Sequence, residues 1–361
     1  MANPQTGSSL SGPRERYASL ISKFCRSLLD FAEGEFEGLA AQRTFRFPGR
    51  TLRVGCSSLE YAELCERAYL ISSEHEEDAL PPVTIAILDR VSLPDLPFWP
   101  AASPGMANVA LALGEYDLCG AYDPDYDIWY VYDPRRAIAV QAMPSFARRP
   151  PWEASFPARL LIHWSARSGN RGMIHAGTLG NKGHGVFLAG AGGAGKSGTT
   201  LSGIMNGLES AGDDYVAVRV APGKIETRPI LRLMKQDRAG LHRLGLRADQ
   251  SAFEGPNWQG KFEFDFETLM PGSRAECLAM KAILIPKISG ERVSSFRSAS
   301  GREAMLSLAP SSLYQLYGTW KEDFALLASL ARALPAYHLA LSENPAEIAG
   351  AIRDFIANGT P

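Results

Sequence analysis

His184-Gly185-Val186-Phe187-Leu188-Ala189-Gly190-Ala191-Gly192-Gly193-Ala194-Gly195-Lys196-Ser197-Gly198 is the stretch from which the rest of the chain can be read. Its second half, Gly190 to Ser197, matches G-x-x-x-x-G-K-[ST] in full. Each residue type there has a physical reason. Glycines let successive backbone N–H groups turn inward around phosphate oxygens with no side chain in the way. The N-terminus of a following helix adds partial positive charge. A lysine can reach the β- and γ-phosphates, and a serine hydroxyl can ligate Mg²⁺. Gly190, Ala191, Gly192, Gly193, Ala194, Gly195, Lys196, Ser197 and Gly198 are therefore the candidate nucleotide-binding residues. A glycine-rich turn before a helix can be purely structural, but the flanks argue against that: HGVFLAG reads as a strand and SGTTLSGIMNG as the start of a helix.

Working outward, the spacing predicts a helix from Lys196 to about Asn206 and a strand over DYVAVRV. Upstream, MIHAGTL reads as a strand, Gly180-Asn181-Lys182-Gly183 as a turn, and ARLLIHWSAR as a helix. Strand, glycine loop, helix, strand is the α/β unit such a loop requires. The end of the chain, SENPAEIAGAIRDFIAN, reads as an amphipathic helix with Ser342 as its cap.

The proline-rich stretch MPSFARRPPWEASFP marks a boundary, placed near residue 152. Residues 1–12 read as a polar disordered tail. From Tyr17 to Phe36, apolar residues Leu20, Ile21, Phe24, Leu28, Leu29, Phe31 and Ala32 recur at helical steps. TFRFPGRTLRVGCSS reads as a hairpin turning at Pro48-Gly49, SLEYAELCERAYL as a helix, and VTIAILDR and DIWYVYDP as strands. Nothing in residues 1–152 attaches to chemistry; this α+β half either binds substrate or only packs.

Asp213-Asp214 is the acidic candidate. A Mg²⁺-directing aspartate usually follows an apolar strand, but here the apolar run Val216-Ala217-Val218 comes after the pair. The carboxylates therefore enter at the start of a strand, 17 and 18 residues past Lys196, one helix length away and back beside the phosphates. One carboxylate can direct Mg²⁺, and the other can accept a proton from an attacking hydroxyl. The alternative is a plain Gly-Asp-Asp surface turn. His175, 21 residues before Lys196, sits on the strand preceding the loop strand; if those two pair as a hairpin, it lies beside the loop. A lone histidine on a strand is more often a satisfied core residue.

Together, His175, the loop with Lys196, and Asp213-Asp214 resemble the catalytic domain of HPr kinase/phosphorylase, which has these features in this order and spacing. The resemblance is specific from His175 to Val220. It implies an α/β P-loop kinase domain of the HPr kinase and phosphoenolpyruvate carboxykinase type over residues 153–361, with an N-terminal α+β domain over residues 1–152. It implies Asp214 as catalytic base, Asp213 as its acidic neighbour, His175 as an active-site residue and Ser197 as a Mg²⁺ ligand. The family also carries an arginine in a Pro-Gly-Arg stretch before a late apolar strand, and Pro271-Gly272-Ser273-Arg274 precedes CLAMKAILIP here. Arg274 would stabilise charge on the phosphoryl group in flight.

Departures from the family pattern bear on the acceptor. The Mg²⁺-binding glutamate signature has no equivalent; Glu226 lies in the right region without matching surroundings. The N-terminal half shows no likeness, so the resemblance points to the HPr-kinase-like proteins of biosynthetic type. Some of these phosphorylate ribosomally made peptides, lasso peptides included, on a serine. The segment RLMKQDRAGLHRLGLRAD, with Arg232, Lys235, Arg238, Arg243 and Arg247, can meet an acidic substrate or form a solvated helix face.

Composition bounds the partners. The 361 residues carry a net charge of −2, with no basic excess to hold a nucleic acid backbone. No apolar run approaches a membrane span, and there is no apolar signal region, so a cytoplasmic protein is expected. Five cysteines without a CxxC pair, Cys25, Cys56, Cys65, Cys119 and Cys277, read as reduced thiols. The expected activity is a kinase using ATP and Mg²⁺ on a Ser or Thr hydroxyl of a peptide or protein. Transfer to a small-molecule hydroxyl and a nucleotide-dependent regulatory module are the alternatives. Relatives form hexamers, so a homo-oligomer is implied by the resemblance alone.

Overall fold

The computed structural model describes residues 13–70, 80–89, 106–316 and 318–359; the tail at residues 1–12 lies outside them. Its first helix, α1 (Pro13–Glu35), buries Ile21, Phe24, Cys25, Leu28, Leu29 and Ala32, one apolar stripe at steps of three and four. Leu20 and Phe31, expected with them, face solvent at 50% and 42% exposure because they fall off that stripe.

Two strands follow, β1 (Ala41–Phe47) and β2 (Arg50–Cys56), paired antiparallel across Pro48-Gly49, with Gly49 at φ 75°. Then come α2 (Leu59–Ala68), β3 (Leu80–Asp89), α3 (Met106–Gly114), β4 (Cys119–Asp123), β5 (Ile128–Asp133) and β6 (Ile138–Met143). Six strands make one mixed sheet, ordered β1-β2-β3-β6-β5-β4, with β2–β3 and β3–β6 parallel. β5, Ile-Trp-Tyr-Val-Tyr-Asp, is buried throughout because both sheet faces are covered. On one face Trp129, Val131 and Val140 meet α1 and α3; on the other Tyr130, Tyr132 and Ala139 join a core shared with the second half of the chain.

The second half runs α4 (Arg159–Ala166), β7 (Arg171–His175), β8 (Gly177–Asn181), β9 (His184–Leu188), α5 (Lys196–Met205), β10 (Tyr215–Ala221) and β11 (Lys224–Pro229). It continues with β12 (Leu233–Asp237), α6 (Arg238–Leu244), β13 (Lys261–Asp265), α7 (Phe266–Leu269) and β14 (Leu278–Glu291). It closes with β15 (Ser295–Ala299), α8 (Gly301–Gln315), α9 (Trp320–Ala333), β16 (Ala336–Ser342) and α10 (Pro345–Asn358). Eight strands form a second mixed sheet along β15-β16-β14-β11-β10-β7, with β9 beside β14 and β8 beside β9. β12 and β13 form a separate two-stranded ribbon. The chain is thus a mixed α/β structure with two large sheets. No described helix is long and apolar enough to cross a membrane.

Three local expectations change. MIHAGTL is two strands, β7 and β8, broken at Ala176. The cap of α10 is Asn344, whose side chain accepts from Ala346 and Glu347 N–H; Ser342 instead meets Glu347 from the end of β16. Residues 233–237 of the basic segment are strand, and α6 begins only at Arg238, capped by Asp237. All five cysteines are free thiols.

The two sheets share side chains across the proline-rich stretch. Phe45, Tyr61, Tyr69 and Tyr130 lie in one buried cluster with Phe156, Trp164, Met173, Tyr215 and Leu231. Glu153 is buried there, where it accepts from the hydroxyls of Tyr61 and Tyr130, from Gln141 and from the Ala158 N–H. Backbone bonds from Leu70 to Ile230 and from Arg232 to Ala68 tie the end of α2 to the chain entering β12. Burial nevertheless pushes the Glu153 pKa up, outweighing the Tyr61, Ala158 and Gln141 bonds that pull it down.

Candidate active site

The glycine loop leaves β9, which is fully buried from Gly185 to Leu188, and ends in the N-terminus of α5. β9 lies between β8, through the hairpin turn Lys182-Gly183, and β14. Both turn residues have positive φ, 53° and 76°, as a two-residue hairpin requires. Gly195 caps α5 at φ 100°, and a Cβ there would sit 2.8 Å from Leu341 Cδ1. A Cβ on Gly192 or Gly193 would meet nothing within 4 Å, so the loop opens outward at that point. Lys196 is buried, and its ammonium donates to the carbonyls of Gly190 at 2.7 Å and Ala191 at 3.2 Å. Burial pushes its pKa down, against the pull of Asp213 and Asp214.

The acidic pair is held beside α5 by a small polar knot. Thr178 of β8 donates its N–H to the Gly212 carbonyl, and its hydroxyl accepts from the Ala211 N–H. Ser210 Oγ accepts from the Gly212 N–H and donates to the Thr178 carbonyl. Gly177 lets β8 approach closely, since a Cβ there would be 2.8 Å from Thr200 Oγ1 of α5 and 3.6 Å from the Asp213 carbonyl.

The two carboxylates occupy different environments. Asp213 is 4% exposed and hydrogen-bonds to Ser197, while its Oδ1 is buried with no partner. Burial, with the neighbouring Asp214, pushes its pKa up. Asp214 is clamped on both oxygens: His175 Nε2 lies 2.8 Å from Oδ1, and Lys235 Nζ lies 2.9 Å from Oδ2. Burial alone would raise Asp214, but Lys235 and His175 outweigh it and hold the carboxyl well below the usual range. Lys235 is held up in turn: burial works against its charge, and Asp214 more than compensates.

His175 reaches Asp214 by a route other than the expected hairpin. β7 does not pair with β9; it pairs antiparallel with β10, and His175 stands opposite Tyr215. The cross-strand neighbour of Tyr215 therefore meets the residue just before it. The His175 ring lies edge-on to Tyr215 at 5.1 Å, and its backbone N–H donates to Ser312 Oγ of α8.

Two further positions differ in standing. Arg274 is brought to the acidic turn through its backbone: residues 273 and 275 bond to Ser210, but the guanidinium pairs with Glu276 at 3.3 Å. Glu226 stands opposite Arg219 on β11, about five strand residues or ~16 Å from Asp214. It pairs with Lys224 and lines a cavity between the halves with Arg171, Arg219 and Arg228.

Lys235 is the site residue that sequence reading missed. It is grouped there with a solvated helix face, yet it lies on β12 with its side chain only 14% exposed. The signal was present: Asp237 is a helix cap, which moves the helix start past Lys235 and leaves the preceding residues extended. The ribbon brings other polar groups as well. Gln236 Nε2 and Arg243 Nη1 come within 3.5 and 3.9 Å of a Cβ position on Gly198, and Lys261 is close enough for its charge to act on Lys196 and Asp213.

As to metal, the described residues contain no group of three or more His, Cys, Asp or Glu able to hold an ion. The oxygens that fit one are fewer: the Ser197 hydroxyl and the unpartnered Asp213 Oδ1. Mg²⁺ held by one or two protein oxygens keeps the rest of its shell as water or substrate oxygen, which this donor set suits.

No family model and no curated protein matches the chain. Among solved structures it is similar to the HPr(Ser) kinase/phosphatase from Coxiella burnetii, with 12% identity and a TM-score of 0.29. That likeness covers 52% of this chain and 97% of that one.

Proposed function

We propose that this chain is a kinase that transfers a phosphoryl group from ATP to a Ser or Thr hydroxyl of a peptide or protein. The observation that carries the reading is the pair of unlike carboxylates at the loop that matches the phosphate-binding pattern, one on Ser197 and one clamped between His175 and Lys235. A site that only holds nucleotide has less need of the second.

In this reading Gly190 to Gly198 receive the phosphates on backbone N–H groups. Lys196 exchanges two neutral carbonyls for phosphate oxygens, a stronger charge-assisted contact. Mg²⁺, held on Ser197 and Asp213, would neutralise the phosphate charge. Asp214 orients the acceptor hydroxyl and takes its proton as the new P–O bond forms and ADP leaves with the old one. A carboxylate kept ionised is a weak base, which suffices because a loose phosphoryl transition state relies on positioning more than on proton removal. His175 and Lys235 fix its orientation. Arg274 would serve the transferring group, for which it must leave Glu276. Residues 1–152, which share a buried core with the second half, would dock the acceptor.

The test is incubation of the full chain with γ-labelled ATP, Mg²⁺ and candidate peptides, followed by mapping of the labelled residue. Label on a peptide serine or threonine is expected. A folded chain that binds ATP but labels only small alcohols, or nothing, overturns the peptide reading.

A further inference from the structure

The cations around the glycine loop are not exhausted by Lys196. The β12–α6–β13 unit, residues 233–265, packs against α5 through β12 and α6, with Gln236 and Arg243 beside Gly198, and Lys235 of β12 reaches Asp214. Lys235 and Lys261 share one ribbon face, since Lys235 stands opposite Glu263 and Lys261 is two residues before Glu263 on the same side. Lys235 is committed to Asp214. Lys261 acts on Lys196 and Asp213 but is paired with neither, and Arg243, on the last turn of α6, reaches the first turn of α5 beside Gly198. Among the described residues neither Lys261 nor Arg243 has a carboxylate within salt-bridge distance, whereas Arg247 of the same unit pairs with Asp249, and Arg232, the residue just before that unit, pairs with Asp265.

Cations without counter-ions, set beside a buried lysine and a helix N-terminus, raise the local positive potential at a cost that an anion removes. We infer that Lys261 and Arg243 are phosphate-binding residues that complete the nucleotide site from outside the glycine loop, meeting the terminal phosphates of a bound nucleotide or of pyrophosphate. This rests on the nucleotide reading of the loop. It makes the ribbon unit, and not the loop alone, responsible for distinguishing a long phosphate chain from a short one.

Isothermal titration of the full chain with ATP, AMP and inorganic pyrophosphate tests it. Arg243→Ala and Lys261→Ala should each weaken ATP and pyrophosphate binding about fivefold or more, with AMP changed less, because charge-assisted contacts to outer phosphates are lost. Arg247→Ala, which removes an exposed arginine already paired with Asp249, should change none of the three. Arg243→Lys and Lys261→Arg should recover part of the loss, which a folding defect would not. If the unsubstituted chain binds ATP and both alanine variants bind it equally well, the inference is overturned while the nucleotide reading stands. If the unsubstituted chain binds neither ATP nor pyrophosphate, both fall.

Discussion

Lys235 Nζ donates to Asp214 Oδ2 at 2.9 Å, from a strand outside both large sheets. This contact joins the β12–β13 ribbon to the start of β10 and decides the charge state of the site. With His175 on the other oxygen, Asp214 has a partner on each oxygen and a carboxyl held well below the usual range before any ligand arrives. Asp213, one residue earlier, faces Ser197 and keeps one oxygen unpartnered. The same backbone turn thus presents one carboxylate already committed and one available.

Lys196→Ala should abolish phosphoryl transfer and weaken nucleotide binding, because no other side chain of the loop can follow the β- and γ-phosphates. Labelled-ATP turnover and calorimetric affinity, with thermal melting as the folding control, read this out. Full turnover in a folded variant defeats the assignment of the loop.

Asp214→Asn keeps the shape and removes the proton acceptor, so ATP should still bind while turnover falls roughly 10²-fold or more. Asp213→Asn should instead shift the Mg²⁺ concentration that gives half-maximal turnover, since it alters an oxygen beside Ser197. Equal, mild losses in both variants would mean that the pair is structural.

Lys235→Met should destabilise the chain by about 3 kcal/mol near neutral pH, because it strands a mostly buried carboxylate with one partner. The sign of the pH dependence follows from the shifts. Asp214 has a folded pKa below its unfolded value of about 4, so its stabilisation is present above that pH and is lost as pH falls through the lower folded value. Lys235 has a folded pKa above its unfolded value of about 10, so its part is present below that pH and is lost as pH rises through the higher folded value. The difference between wild type and variant should therefore be largest near neutrality and shrink in acid. Urea midpoints measured at several pH values give the comparison, and a gap independent of pH would argue against the ion pair as its source.

A fragment starting at residue 153 should fail to unfold cooperatively. Phe156, Trp164, Met173, Tyr215 and Leu231 would lose the covering of Phe45, Tyr61, Tyr69 and Tyr130. At about 1.5–3 kcal/mol per large apolar side chain, the loss is comparable to the entire stability of a domain. Circular dichroism melts of the fragment check this; a cooperative melt together with unchanged transfer kinetics would show that the catalytic half stands alone.

The glycine loop, its strand and its helix were legible in the amino-acid order because each depends on neighbours in the chain. Gly195 caps α5, Val186 to Leu188 alternate toward two covered faces, and Lys196 must follow Gly195 directly for its ammonium to return over the loop. The hairpin at Pro48-Gly49 was legible for the same reason, and so was the place of the turn expected over Gly180–Gly183, which narrows to Lys182-Gly183 because Gly180 and Asn181 pair within β8. The meeting of His175 with Asp214 depends instead on β7 choosing β10 over β9 as its partner, a choice made by strand register between segments some 40 residues apart. Lys235 depends on the ribbon folding back over that register, and its side chain could be told from a solvated one only after burial was known. Local backbone chemistry wrote the loop, whereas non-local pairing and the exclusion of water set the charges around it.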